Sequence, residues 1–286
     1  MEDFDIPKFY IIWKIQKNPI VDRPIVASCR WLTTTASIFV GEYLKEFINK
    51  FDTILEDTSS ILKILETQNF PENCFLFTLD ADSLYTNIPT QGYQSALNAI
   101  SRLFKMFPIN TGDRETDEKL EKERELVLDL LDFVLKNNLM EFHGEYFLQI
   151  FGIAMGTNRA PVLANLYLAM LEEQIKRECY YNPKLIWPLV LKRFIDDMFG
   201  IMVGTYEDLV YFVKVFNSYI PSINLNIIKW GKNVNFMDLE IFKSSKFYET
   251  GKFSIKTHQK EQNIFDYIPF RSNHPKHTFK NLVLMN

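Results

Sequence analysis

Cysteine is scarce in this chain. Cys29, Cys74 and Cys179 are its only three, spread widely over 286 residues. None forms a C-x-x-C pair, which sets aside zinc ribbons and dithiol redox motifs. So sparse and odd a count suits a reducing intracellular compartment rather than a disulfide scaffold. No apolar run reaches the roughly 18 residues of a membrane span, so no membrane partner is expected. The first residues, MEDFDIPKFY, are acidic, unlike a secretory or mitochondrial leader. A basic surplus is missing too: 32 Lys and Arg stand against 36 Asp and Glu, a net charge of −4. Phosphate binding usually leaves a positive balance, so the sum argues mildly against nucleic acid. Carboxylates gathered around a metal would mask a basic groove in the same count.

What the chain does have is apolar bulk. It is 47% hydrophobic with 25 Phe, enough for one large core or two small ones. There is no internal repeat and no low-complexity tract. The polar stretch 108–125 reads as a loop entering a helix, and the spacing of Leu126, Leu130, Phe133 and Val134 continues that helix. Residues 35–51 also have helical spacing, with Ile38, Tyr43, Phe47 and Phe51 on one side. Strand-like runs alternate with these helices: CFLFTLDAD (74–82), YFLQIFGIAMG (146–156) and NVNFMDLEIFK (233–243). In LVLKRFIDDMFGIMVG (189–204) two apolar stretches flank an acidic pair, the pattern of a hairpin with aspartates at its turn. Strands mixed with long helices make the expected fold class α+β.

The acidic residues are the notable feature. Asp80 closes an apolar strand, and Asp196 with Asp197 sits at a greasy hairpin's tip. An unpaired buried carboxylate is costly. Three carboxylates at one sheet edge repel unless a cation neutralises them. Hard cations such as Mg²⁺ take oxygen ligands, and two of them can stabilise the attacking and leaving oxygens of phosphoryl transfer. Plain alternatives stay open: Asp80 as a strand-end cap, the Asp-Asp pair as turn chemistry, and Lys14, Lys17 and Lys192 as solvated charges.

The same blocks resemble the reverse transcriptases of Penelope-like retroelements. FTLDADSLYTNIP (77–89), GIAMGTNRAPVLANLYLAMLEE (152–173), RFIDD (193–197) and NVNFMDLEIF (233–242) occur in the order of motifs A, B, C and E of such enzymes, the last implying a hairpin that grips the primer end. WKIQKNPIVDRPIVAS (13–28) resembles their fingers block and YIPFRSNHPKHTFKN (267–281) the start of their thumb. The resemblance implies a right-hand polymerase fold with an antiparallel palm sheet packed on helices. Fingers and palm would cover 1–240, with fingers mainly 1–75 and 108–160 and palm mainly 76–107 and 161–240. A partial thumb would follow at 241–286.

It also implies RNA-directed DNA polymerase activity on an RNA template and DNA primer with dNTPs. Two Mg²⁺ ions, replaceable by Mn²⁺, would be held by Asp80, Asp196, Asp197 and the Ala81 main chain. Lys14, Arg23, Tyr85, Met155 and Gly156 would bind the dNTP, with Tyr85 packed under the sugar where a 2′-hydroxyl would sit. Gly152, Arg159, Phe194 and Phe236 would face template or primer. Lys229 or Lys232 is a weak match to a pyrophosphate-protonating lysine, Asp238 reads as structural, and His274 and His277 as hydrogen-bonding or nucleic-acid contacts. A retroelement enzyme is expected in the nucleus. No endonuclease block of the family follows the apparent thumb, which leaves an inactive, truncated or domesticated nucleic-acid-binding protein as the alternative. A metal-dependent nuclease using the same carboxylates is a further rival.

Overall fold

In this computed structural model, residues 4–14, 19–156, 160–259 and 271 are described. A β-ribbon, β1 (Phe9–Lys14) and β2 (Val21–Val26), is followed by α1 (Thr34–Lys45), a 3-10 turn at Ile48–Lys50 and α2 (Thr58–Thr67). Then come β3 (Cys74–Ala81), the single turn α3 (Leu84–Asn87), α4 (Ala96–Met106) and α5 (Arg114–Lys136). A hairpin of β4 (Leu139–Phe142) and β5 (Glu145–Leu148) precedes α6 (Ala160–Tyr181). The chain continues through β6 (Val190–Phe194), β7 (Asp197–Val203), α7 (Tyr206–Tyr219) and β8 (Leu225–Gly231). It closes with β9 (Asn233–Phe236), β10 (Leu239–Phe242), α8 (Ser245–Thr250) and β11 (Ser254–Thr257).

The centre is a four-stranded antiparallel sheet in the order β6-β7-β3-β8. Both of its faces are covered, which explains why these strands read as nearly unbroken apolar runs. Phe77, Leu79, Met198 and Met202 face one hydrophobic cluster, built with α4, α6 and α7. Cys74, Leu76, Phe199 and Ile201, the alternate positions, face a second cluster with α2, α8 and the three-stranded sheet β11-β10-β9. The two-residue period of a strand sorts the side chains between the clusters. The α+β expectation therefore holds.

Gly200 has a packing reason. It lies opposite Phe77 in the register, and a Cβ there would run into the Phe77 ring. Gly200→Ala is expected to cost about 1–3 kcal/mol through overpacking. Urea unfolding, compared with wild type at matched m-value, measures it.

Several local expectations need correction. The buried stripe of α5 is Arg124, Val127, Leu131 and Leu135. Leu126, on the expected stripe, is 48% exposed, and Phe133 is also exposed. Ile38 on α1 is exposed as well, the buried residues there being Val40, Gly41 and Leu44. The run 146–156 is strand only through Leu148, and β5 is exposed throughout. The segment 233–243 is not one strand but a hairpin, β9 and β10, as the motif E resemblance implied. It turns at Met237, which takes a positive φ of 52°.

Candidate active site

The site forms where strand ends meet. Asp80 lies directly opposite Asp197 in the β3–β7 register. Opposed residues in an antiparallel pair share a face, with Cβ atoms about 4.5–5.5 Å apart. By alternation that face is the one carrying Leu76, Phe199 and Ile201, away from α4, α6 and α7. Phe194 pairs with Asp197 across the hairpin, so Ile195 and Asp196 alone make the turn. Asp196 is therefore in the turn and Asp197 is the first residue of β7, a small refinement of the expected geometry. The Asp196 carbonyl accepts a hydrogen bond from the Ala81 N–H at 3.2 Å, tying the turn to the end of β3. On its other side β3 pairs with β8, setting Asp80 opposite Asn226 below a register shift between Thr78 and Leu79.

Ile195 has a φ of +59°. Positive φ at the first central residue only is the pattern of a type II′ hairpin, where glycine is the usual occupant. A β-branched residue there is strained by roughly 1–3 kcal/mol, and such strain concentrates at functional sites.

Tyr85 comes from α3, one turn past Asp80, and is half-buried. Burial raises the pKa of its hydroxyl; the Asp196 carboxylate raises it further, and the Arg23 guanidinium lowers it. Both charges are thus near enough to the ring's oxygen to act on it. Arg23 is on β2, exposed, opposite Ile12. Lys14, two residues beyond Ile12 on β1, shares that face of the ribbon. Arg23 and Asp196 are thus the charges that act on Tyr85, and Asp196 adjoins the Asp80–Asp197 pair.

The glycine loop 152–156 staples these parts. The Met155 carbonyl accepts from Val26 N–H at 2.7 Å, and Ile153 N–H donates to the Tyr85 carbonyl at 2.7 Å. Gly152 has φ +79°, and a Cβ there would lie 2.5 Å from the Thr86 carbonyl oxygen. Gly156, at φ +122°, leaves room for the Val26 carbonyl. Both glycines permit close backbone approach, but the backbone that approaches is the protein's own. Gly152 is buried against Thr86, which gives a packing reason for glycine at this position. Phe236 needs correction. It is 3% exposed and packs on Phe199 with ring centroids 5.5 Å apart, so it offers no surface to a primer. Phe194 is half-buried beside the second cluster. Arg159, Lys17, His274 and His277 lie outside the described residues.

Lys192 and Arg193 were missed as structural anchors. The expectation that Lys192 is a solvated charge is wrong: its side chain is buried and its ammonium bonds Asp52 Oδ1 at 2.6 Å and the Asp52 carbonyl. Arg193 is fully buried with Glu172. Charged residues are seldom buried unless paired, so their place beside an apolar run was the only hint.

Among the described residues, no three His, Cys, Asp or Glu side chains are gathered closely enough to form a metal cluster. The strand register nevertheless opposes two carboxylates and sets a third beside them. That register fixes the backbone from which all three side chains extend. The donor set is hard and anionic, and fits Mg²⁺ or Mn²⁺.

No model of a known protein family matches the chain, and no curated protein does. Solved structures do match. The fold, an antiparallel sheet packed on helices, is the one seen in solved telomerase and RNA polymerase structures. One match is the telomerase of Candida tropicalis in complex with a TWJ fragment of telomeric RNA, with TM-score 0.60 and 15% identity, covering 100% of this chain and 49% of that one. The apo telomerase of the same organism, truncated from its C-terminal domain, gives TM-score 0.56 and 12% identity over 90% and 56%. An RNA-dependent RNA polymerase of BmCPV, at elongation state, gives 0.55 and 11% over 83% and 21%. The chain spans about half the length of these telomerases.

Proposed function

We propose that this chain is the polymerase portion of a reverse transcriptase of retroelement type, extending a DNA primer on an RNA template with dNTPs. One observation carries the reading: Asp80 faces Asp197 across neighbouring strands, with Asp196 in the adjoining turn and Tyr85 and Arg23 beside it. Asp80, Asp196 and Asp197 would hold a pair of Mg²⁺ ions, with the Ala81 main chain adjacent. Bound there, the ions would activate the primer hydroxyl and stabilise the departing pyrophosphate. Arg23 and Lys14 present cations on one ribbon face to a triphosphate, Arg23 with a fork suited to paired phosphate oxygens. The Met155–Gly156 backbone borders the same space. The RNA bound by the telomerase match supports a nucleic-acid partner, and the motif order in the sequence supports the retroelement class and nuclear residence.

The first test is extension of a DNA primer on RNA with Mg²⁺ and dNTPs. Templated products support the reading; none, at any metal concentration, rejects it. That no closed three-ligand cluster forms among the described residues favours the second reading, an inactive nucleic-acid-binding protein. Binding of primer–template without extension would select it.

Tyr85 gives a sharper expectation. Its half-buried ring would lie under the sugar of the incoming nucleotide. Tyr85→Ala is expected to relax discrimination against ribonucleotides by about 10–200-fold, the scale for opening a pocket by a small group. The ratio of kcat/KM for dNTP and rNTP measures it, and an unchanged ratio removes Tyr85 from this role.

A further inference from the structure

We propose that Arg193 is a positioning residue that sets the Asp196–Asp197 tip by clamping the strained peptide just before it. The catalytic part of this inference rests on the polymerase reading; the mechanical part does not.

The guanidinium spends all five of its N–H donors. Nε donates to Glu172 Oε1. Nη1 donates to Asn165 Oδ1 at 2.7 Å and to the Ile195 carbonyl at 3.0 Å. Nη2 donates to the Asn165 carbonyl at 2.9 Å and, at the 3.5 Å limit, to Glu172 Oε2. Thr53 Oγ1 also donates to Glu172 Oε2. Asn165 and Glu172 are two helical turns apart, so one face of α6 supplies both. The base of the arginine is pinned as well. Its N–H donates to the Thr53 carbonyl at 2.7 Å and its carbonyl accepts from Leu55 N–H at 2.9 Å, which covers the outer edge of β6.

The Ile195 carbonyl belongs to the peptide that joins Ile195 to Asp196. Fixing it fixes the plane from which the Asp196 side chain departs. The residue whose carbonyl is held is the one with φ of +59°. Such a conformation persists only where the surroundings over-determine it, and a planar, five-donor fork buried on a helix does that. An ammonium cannot, having no fixed fork. A surface hairpin with Gly at position 195 would not require the clamp. The arrangement links α6, which leaves the loop containing Gly152 and Gly156, to the carboxylate tip through one side chain. A merely structural ion pair would hold α6 to the sheet and leave the tip indifferent to it.

The test compares wild type, the swap Arg193→Met/Glu172→Leu, and that swap with Ile195→Gly. The swap removes both charges, so neither is left buried alone, and cooperative unfolding confirms that it folds. Backbone order parameters at Asp196 and Asp197 are expected near 0.85 in wild type and at about 0.6 or below in the swap. Mn²⁺ affinity, read by electron paramagnetic resonance without substrate, is expected to fall about 10–100-fold, the usual cost of losing a group that orients metal ligands. Primer extension should lose kcat rather than gain dNTP KM. Adding Ile195→Gly should recover part of the Mn²⁺ affinity, because glycine takes this turn unaided. A folded swap with wild-type order parameters and Mn²⁺ affinity would overturn the proposal. If the tip loosens but wild type neither binds Mn²⁺ nor extends primers, the polymerase reading fails and the positioning role stands.

Discussion

Asp196→Asn is expected to lower RNA-templated primer extension by about 10³-fold, equivalent to roughly 4 kcal/mol of transition-state stabilisation. The substitution is nearly isosteric and the residue is only half-buried in its turn. The bond its carbonyl accepts from Ala81 N–H is a main-chain bond that asparagine retains. Unfolding midpoint and primer–template affinity should therefore stay near wild type, so the loss can be assigned to chemistry. Asp80→Asn should behave alike, since Asp80 faces the same hairpin from β3. The two losses should be strongly non-additive, as expected when residues act as a unit. Equal extension by wild type and Asp196→Asn would remove this residue from the reaction. Metal-dependent cleavage of labelled template without nucleotides, lost in the same variants, would instead indicate a nuclease.

Arg193→Met alone is expected to be the most damaging single change to stability, at about 3–5 kcal/mol, because it strands the buried Glu172 carboxylate. Glu172→Leu alone should cost a similar amount by stranding the guanidinium. Together they should cost much less than the sum, since apolar replacement of a whole buried pair is often nearly neutral. Chemical denaturation of the four proteins in the cycle gives the coupling directly. Additive costs would mean that the two side chains stabilise the fold independently, contrary to the contacts between them.

The site was readable in the sequence where burial acts on both sides of a strand. β3 and β7 are apolar up to their ends because clusters cover both faces, so Asp80, Asp196 and Asp197 stood out against them. The α5 stripe was mis-phased for the opposite reason. Leu126, Val127, Leu128, Leu130, Leu131, Phe133, Val134 and Leu135 are all apolar, and more than one helical face can be drawn through them. The β9–β10 turn is not marked by composition, because Met237 and Asp238 carry neither Gly nor Pro although Met237 has positive φ; only the resemblance to motif E pointed to it. That Thr86 and Val26 are what closely approaches Gly152 and Gly156 is a matter of tertiary packing, which the sequence does not carry. Arg193 was invisible as an anchor because Glu172 and Asn165, which explain its burial, come from a helix more than 20 residues earlier.

The central claim is that the carboxylates at positions 80, 196 and 197 share a pair of metal ions. Anomalous diffraction from crystals of the chain with primer–template, a non-reacting dNTP analogue and Mn²⁺ tests it most directly. The account predicts two peaks about 3.5–4 Å apart, bounded by these three side chains. Well-ordered carboxylates with no anomalous peak between them, while the duplex is bound, would contradict it.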